Sequence, residues 1–131
     1  MAKEPRKVGL GDDNQFYPCP EKKVCVSTQS PKEDGIHYIE PIYYLGSGKE
    51  ALDKIESIIK GIKRTKILRK TENYLHALFT TTLLRFKDDV EFLIDDDAKL
   101  IHFRSQSRIG GYDWNTNRKR MENIRKIYSR T

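Results

Sequence analysis

Residues 85–120 read RFKDDVEFLIDDDAKLIHFRSQSRIGGYDWNTNRKR, and this stretch decides the fold. In DVEFLID, apolar Val90, Phe92 and Ile94 alternate with Glu91 and Leu93, the period of two of a strand with one face in a core. KLIHFRSQSR repeats the pattern, with Ile101 and Phe103 on one side and His102 and Arg104 on the other. The acidic DDDA between them is turn chemistry. The two segments therefore read as an antiparallel hairpin. A slip of one residue would turn every side chain over, so the apolar positions restrict the pairing to two registers. One sets Arg104 opposite Asp89 and the other sets it opposite Glu91. In both, a carboxylate meets the guanidinium on the face away from the core.

The polar residues of this stretch form the candidate cluster: Asp88, Asp89, Glu91, Arg104, Ser105, Ser107 and Arg108, with Asp113, Asn117 and Arg118 beyond Gly110-Gly111. Two readings compete. A solvated sheet face carries incidental pairs, each worth a few tenths to about 1 kcal/mol. A face covered by the C-terminal segment forms a polar network, satisfying itself or holding an anion in the fork of an arginine. An enzyme would use Asp88, Asp89 or Glu91 as acid or base, with Arg104 or Arg108 holding an oxyanion. No nucleophile elbow, phosphate loop or metal-spaced His pair is present, so no catalytic residue is assigned.

Downstream, Met121, Ile124, Ile127 and Tyr128 form the apolar stripe of a basic helix. Asp113, Asn115 and Asn117 are candidate caps for it, and Trp114 is expected to plug its entrance onto the sheet. Upstream, NYLHALFTTTLLRF puts Leu75, Ala77, Phe79 and Leu83 on one face and His76, Thr80 and Thr82 on the other. Its three consecutive threonines favour a strand over a helix. Before it, Ser47 and Glu50 have capping-box spacing, and Ala51, Leu52, Ile55, Ile58, Ile59 and Ile62 recur at helical spacing. This predicts a helix from about Lys49 to Lys63. GIHYIEPIYY predicts a strand at about Ile36–Tyr44, confined to an edge or a bulge by Pro41.

Residues 1–15 are polar and Gly-rich and read as a flexible N-terminal arm, with a single domain over 16–131. Four of the five prolines lie between Pro5 and Pro31, so the chain after the arm is an extended strap pinned by Phe16, Tyr17, Val24 and Val26. Cys19 and Cys25 are the only cysteines. Three arrangements are open to them: separate thiols, a disulfide closing a small loop, or half of a metal site. Zinc would need two more ligands, and His37, His76 and His102 are scattered. No metal or cofactor is assigned.

At 131 residues the chain is one domain by length. Charged residues make up 34%, but 10% aromatics and recurrent apolar patterning argue against disorder. The net charge of +6 is unevenly placed, since six acids crowd Lys87–Asp97 and six bases crowd Asn115–Thr131. A basic balance suits an anionic small molecule or an acidic protein partner. Nucleic acid is disfavoured, because specific binders show a basic stripe with stacking aromatics. No run of about 18 apolar residues could span a bilayer. The N-terminus lacks the apolar core of a signal peptide, and the chain reads as soluble and cytoplasmic.

The chain also resembles a bacterial and chloroplast family of unknown function, numbered 1499. The likeness is carried by Cys19-Pro20 with Cys25-Val26-Ser27, by His37, Ile39 and Pro41, and by Tyr74-Leu75-His76. It continues through Phe86, Asp88, Asp89, Val90, Glu91 and Phe92, then Arg104, Ser105, Ser107, Arg108 and Gly110, then Asp113, Asn117, Arg118 and Arg120. It spans roughly Leu10 to Tyr128. Lys23-Val24 stands where the family often has Pro-Asn, and Trp114-Asn115 where it often has Leu-Gly. The resemblance implies no established activity. Many of these relatives carry an N-terminal leader or membrane segment, which favours a disulfide in them.

The expectation is one α+β domain, an antiparallel sheet of about five strands packed on one face by two helices. As to function, it is a non-catalytic binding or interaction module. The alternatives are an enzyme built on the clustered carboxylates and arginines, or a binder of nucleic acid or acidic surfaces through the C-terminal helix.

Overall fold

The structure is a computed structural model, and it describes residues 7–110 and 113–131. Six strands form one antiparallel sheet: β1 (Cys25–Ser27), β2 (Ile42–Tyr43), β3 (Thr65–Lys70), β4 (Tyr74–Thr80), β5 (Lys87–Asp95) and β6 (Leu100–Ser107). Two helices, α1 (Gly48–Lys60) and α2 (Thr116–Arg130), pack on one face. The strand order is β1-β6-β5-β4-β3, and β2 pairs with the other half of the β6 edge that β1 uses. The architecture is α+β, with six strands where about five were expected.

β5 and β6 carry the longest ladder. Phe92 faces Phe103, Ile94 faces Ile101, and Arg104 faces Glu91, the second of the two registers the alternation allowed. The core lies between this face and the helices. Val90, Phe92, Ile101 and Phe103 meet Leu52, Ile55 and Ile59 of α1 and Met121 and Ile124 of α2, all of them almost fully buried. Burying each such side chain contributes about 1.5–3 kcal/mol, which is why the apolar alternation dictates the register.

α1 begins where its cap signal lies. The Ser47 Oγ accepts from the Glu50 backbone N–H at 3.1 Å and donates to the Glu50 carboxylate at 3.1 Å. It ends at Lys60, a little before the expected Lys63, with Gly61 as the C-cap.

Three elements differ from the sequence reading. The strand expected at Ile36–Tyr44 shrinks to Ile42–Tyr43 and an isolated bridge from Tyr38 to Ser27. Arginines of α2 take its carbonyls instead: Arg118 donates to Ile36 and Tyr38, and Arg125 donates to Glu40 and Pro41. β4 stops at Thr80, because the Thr81 N–H bonds the Phe86 carbonyl and closes a turn. Leu83 therefore leaves the core face and is exposed. Trp114 does not plug the helix entrance. It and Asn115 take left-handed backbone angles, φ 57° and 61°, and the indole is 76% exposed.

Candidate functional site

The sheet has two faces, and alternation divides the expected cluster between them. Asp88, Ser105 and Ser107 share the helix face with Val90 and Phe103, whereas Asp89, Glu91 and Arg104 point to the opposite face. One cluster therefore becomes two, and neither is solvated: Asp88, Asp89, Glu91 and Arg104 are each 1–2% exposed.

On the helix side the organiser is Asn117, fully buried in the first turn of α2. Its amide Nδ2 donates to the Ser107 hydroxyl at 2.9 Å, the Val24 carbonyl at 3.1 Å and the Asp113 carboxylate at 2.6 Å. Its Oδ1 accepts from Ser105 at 2.6 Å and from Arg120 at 3.0 Å. Arg120 closes the network on Asp88 at 2.6 Å, with its guanidinium over the Phe79 ring at 5.0 Å. Burial raises the Asp88 pKa, and the Arg120 charge and the Ser107 hydroxyl offset this only in part. Asp113 also accepts from the backbone N–H groups of Asn115 and Asn117, so it serves the unpaired donors at the start of α2. Asn115 is the residue at the N-cap position, yet its side chain makes no cap bond.

On the other side Glu91 and Arg104 form a buried pair, Nε to Oε2 at 3.3 Å. The Glu91 Oε1 accepts from the Tyr74 hydroxyl and the Gly9 backbone N–H, both at 2.6 Å. Arg104 donates to the carbonyls of Tyr17 and Lys7 and to the Gln106 amide oxygen. Burial, and then the Glu91 charge, push the Tyr74 phenol well above its usual range. Asp89 accepts two bonds from Arg108, at 3.1 and 3.2 Å, and meets the His76 Nε2 at 2.8 Å.

The lid over this second face is not the C-terminal segment but the N-terminal one. Leu10 and Phe16 bridge to each other and pack with Tyr74 and Leu93, while Lys7, Gly9 and Tyr17 supply backbone groups to the ion pair. The described part of the expected arm, residues 7–15, is thus seated on the sheet; residues 1–6 lie outside the described residues. Cys19 and Cys25 are joined by a disulfide at the start of β1.

Of the expected residues, Arg118 belongs to neither network; it clamps the backbone at Ile36 and Tyr38. Arg120, Tyr74, His76 and Gln106 do belong and were not anticipated as site residues. Helical spacing offered a signal for Arg120, since it stands at i+3 from Asn117 and shares its face. Nothing local marks Tyr74, because its partner is 17 residues away.

No cluster of three or more His, Cys, Asp or Glu with metal-holding geometry occurs among the described residues. No helix among them is long and apolar enough to cross a membrane.

The chain matches the model of a family described as Protein of unknown function (DUF1499) over residues 15–127. No curated protein and no solved structure matches it. The family match takes in the side chains of both polar networks, the disulfide and nearly all of the sheet and helices, so the protein belongs to the DUF1499 family.

Proposed function

We propose that the domain is a non-catalytic binding module whose two polar networks are structural fasteners. One holds α2 on the front of the sheet and the other holds the N-terminal segment on the back. The single observation that carries this reading is enclosure. Asp88, Asp89, Glu91 and Arg104 are sealed from water, and each is bonded to an oppositely charged side chain or to backbone. Of their side-chain atoms, Asp88 Oδ1 and Arg104 Nε lack a hydrogen bond among the described residues, and that Nε still lies 3.3 Å from the Glu91 carboxylate. A catalytic acid or base needs a reachable substrate position. Five recesses on the surface of the described residues are lined by other side chains, and Asp88, Asp89, Glu91 and Arg104 line none of those five.

The same bookkeeping weakens the reading of α2 as a nucleic-acid binder. Arg118, Arg120 and Arg125 already donate within the domain, which leaves Lys119, Lys126 and Arg130 for an external polyanion. The disulfide supports an oxidising compartment in place of the cytoplasm, where thiols are kept reduced.

Chemical denaturation of Arg104 variants with and without anions tests the structural reading. Removing one member of a buried ion pair leaves the other uncompensated, so Arg104→Met should lose about 3–5 kcal/mol. Arg104→Lys keeps the charge but not the fork and should fall between it and the native chain. Phosphate or sulfate should stabilise all three chains equally. Anion stabilisation seen in the native chain and abolished in Arg104→Lys would assign the network to ligand binding instead.

A further inference from the structure

Nine large apolar side chains are exposed among the described residues, and five of them stand at one end of the molecule. These are Leu83, Leu84 and Phe86 in the β4–β5 turn, Ile109 just past β6, and Trp114 just before α2. The topology gathers them. β4 ends at Thr80, β5 begins at Lys87 and β6 ends at Ser107, while Asn117 ties the start of α2 to Ser107. Leu83 is 89% exposed and Leu84 is 65% exposed.

The turn that carries the leucines is fixed. The Thr81 N–H donates to the Phe86 carbonyl at 2.8 Å, and the Phe86 N–H donates to the Thr81 hydroxyl at 2.9 Å. Arg85 takes a left-handed φ of 56° within it.

Cations ring these side chains. Arg64 lies beside the turn, since its carbonyl accepts from Thr80, and Lys63 adjoins it. Arg85 and Lys87 are in the turn and at the start of β5, and all four are exposed. Two acids of this end are already committed: Asp88 is buried against Arg120, and Asp113 accepts from the start of α2. At the far end of β5 stand Asp95, Asp96 and Asp97. Nine residues of strand put them roughly 30 Å away. One end of the domain thus sets five exposed apolar side chains among cations, while the far end sets exposed Tyr43 and Leu45 beside the acids, where Lys99 pairs with Asp96.

We propose that the end with the five exposed apolar side chains is a peripheral docking surface for an anionic lipid bilayer. Leu83, Leu84 and Phe86 enter the boundary between headgroups and acyl chains, and Lys63, Arg64, Arg85 and Lys87 meet the lipid phosphates. Shape favours a bilayer over a protein partner. Leu83, Leu84 and Phe86 protrude together from one short turn, with Ile109 and Trp114 on neighbouring segments. Protruding apolar tips between long cationic side chains suit a fluid, anionic interface, which closes around each one. The acids of the far end, repelled by the same surface, set the orientation. The inference rests on the binding-module reading and names its partner.

The test uses the full, oxidised chain with vesicles of phosphatidylcholine alone or with about one third phosphatidylglycerol. The anionic vesicles should bind at least about tenfold more tightly, with binding weakened by salt. Trp114, the only tryptophan, should shift its emission to the blue on the anionic vesicles. Leu83→Ser with Leu84→Ser should weaken binding by about tenfold or more, as should Lys63→Ser with Arg64→Ser. Tyr43→Ser with Leu45→Ser, at two of the remaining exposed apolar positions, should bind as the native chain does. Unchanged circular dichroism and Tm show that each variant is folded. Equal binding to both vesicle types, or anionic binding indifferent to the leucine pair, overturns the proposal. So does self-association lost in the leucine variant with no vesicle binding, or heparin retention that survives it with no vesicle binding. Any of these leaves the anion and denaturation result for Arg104 untouched.

Discussion

Glu91 and Arg104 show how far single residues could be read. Alternation alone placed a carboxylate opposite this guanidinium and left two candidates, and the apolar ladder from Phe92–Phe103 to Ile94–Ile101 chooses Glu91. What alternation could not supply was the cover, because the groups that seal the pair are the backbone of Lys7, Gly9 and Tyr17, which have no side-chain signature. His102 lies on the same face and offers a test by pH. Its Nδ1 lies 2.8 Å from the Thr28 hydroxyl, which already accepts from the Phe103 N–H, and burial holds its pKa below the ordinary 6.5. The folded chain then takes up a proton less readily than the unfolded one. The His102 contribution is whole above pH 6.5 and is lost as the pH falls from there through the lowered folded value. His37 acts in the opposite sense. Burial lowers its pKa, but the Asp34 carboxylate and the Lys22 carbonyl more than reverse that. Its net rise adds stability below 6.5 that fades as the pH climbs through the raised folded value. Comparing His102→Asn with the native chain cancels the His37 part. The native chain should lose stability relative to the variant between pH 7 and pH 5 in urea titrations, and a constant difference would refute the assignment.

Elements were legible where a repeated period met a boundary signal, and α1 is the clearest. Its apolar face, its Ser47 cap and its acidic first turn agree with one another, so the helix lies within a few residues of its expected bounds. Elements failed where backbone partners came from afar. The Ile36–Tyr44 stretch has the composition of a strand, yet Arg118 and Arg125 of α2 take carbonyls that a neighbouring strand would have used. At the start of α2, three polar residues competed to cap. Asp113 prevails because the left-handed pair Trp114-Asn115 turns the chain back over its carboxylate. Gly48, the first residue of α1, yields a prediction in which two local effects oppose each other. Alanine is the better helix former by up to about 1 kcal/mol. A Cβ at Gly48 would lie 2.7 Å from the Ile94 Cγ2 and 3.3 Å from both the Tyr44 hydroxyl and the Asp96 carboxylate. Ile94 is stiff and packed in the core, so crowding wins, and Gly48→Ala should destabilise by about 1–3 kcal/mol. Calorimetry showing a raised Tm would mean that α1 can lift from the sheet at no cost.

At the scale of the whole molecule, the sheet is covered on both faces by different means. The front has an apolar core under two amphipathic helices, and this was legible because helices and strands announce their buried faces by period. Part of the back is covered by an irregular segment that has no period at all. It holds by a small apolar cluster of Leu10, Phe16, Tyr74 and Leu93, by the Glu91–Arg104 pair, and by the disulfide that ties Cys19 to the start of β1. If these act together, the strap and the sheet unfold as one unit. A bridge spanning so few residues constrains the unfolded chain only modestly, by about 2 kcal/mol on the loop-entropy account. For a domain of this size that corresponds to a fall in Tm of roughly 5–10 °C on reduction. The reduced protein should still melt in a single transition, and the Gly9 amide, which donates to Glu91, should keep its protection from hydrogen exchange. Loss of Gly9 protection at a temperature where the helices remain intact would show the opposite. The bridge would then be the principal fastener of the strap, with the buried ion pair its consequence.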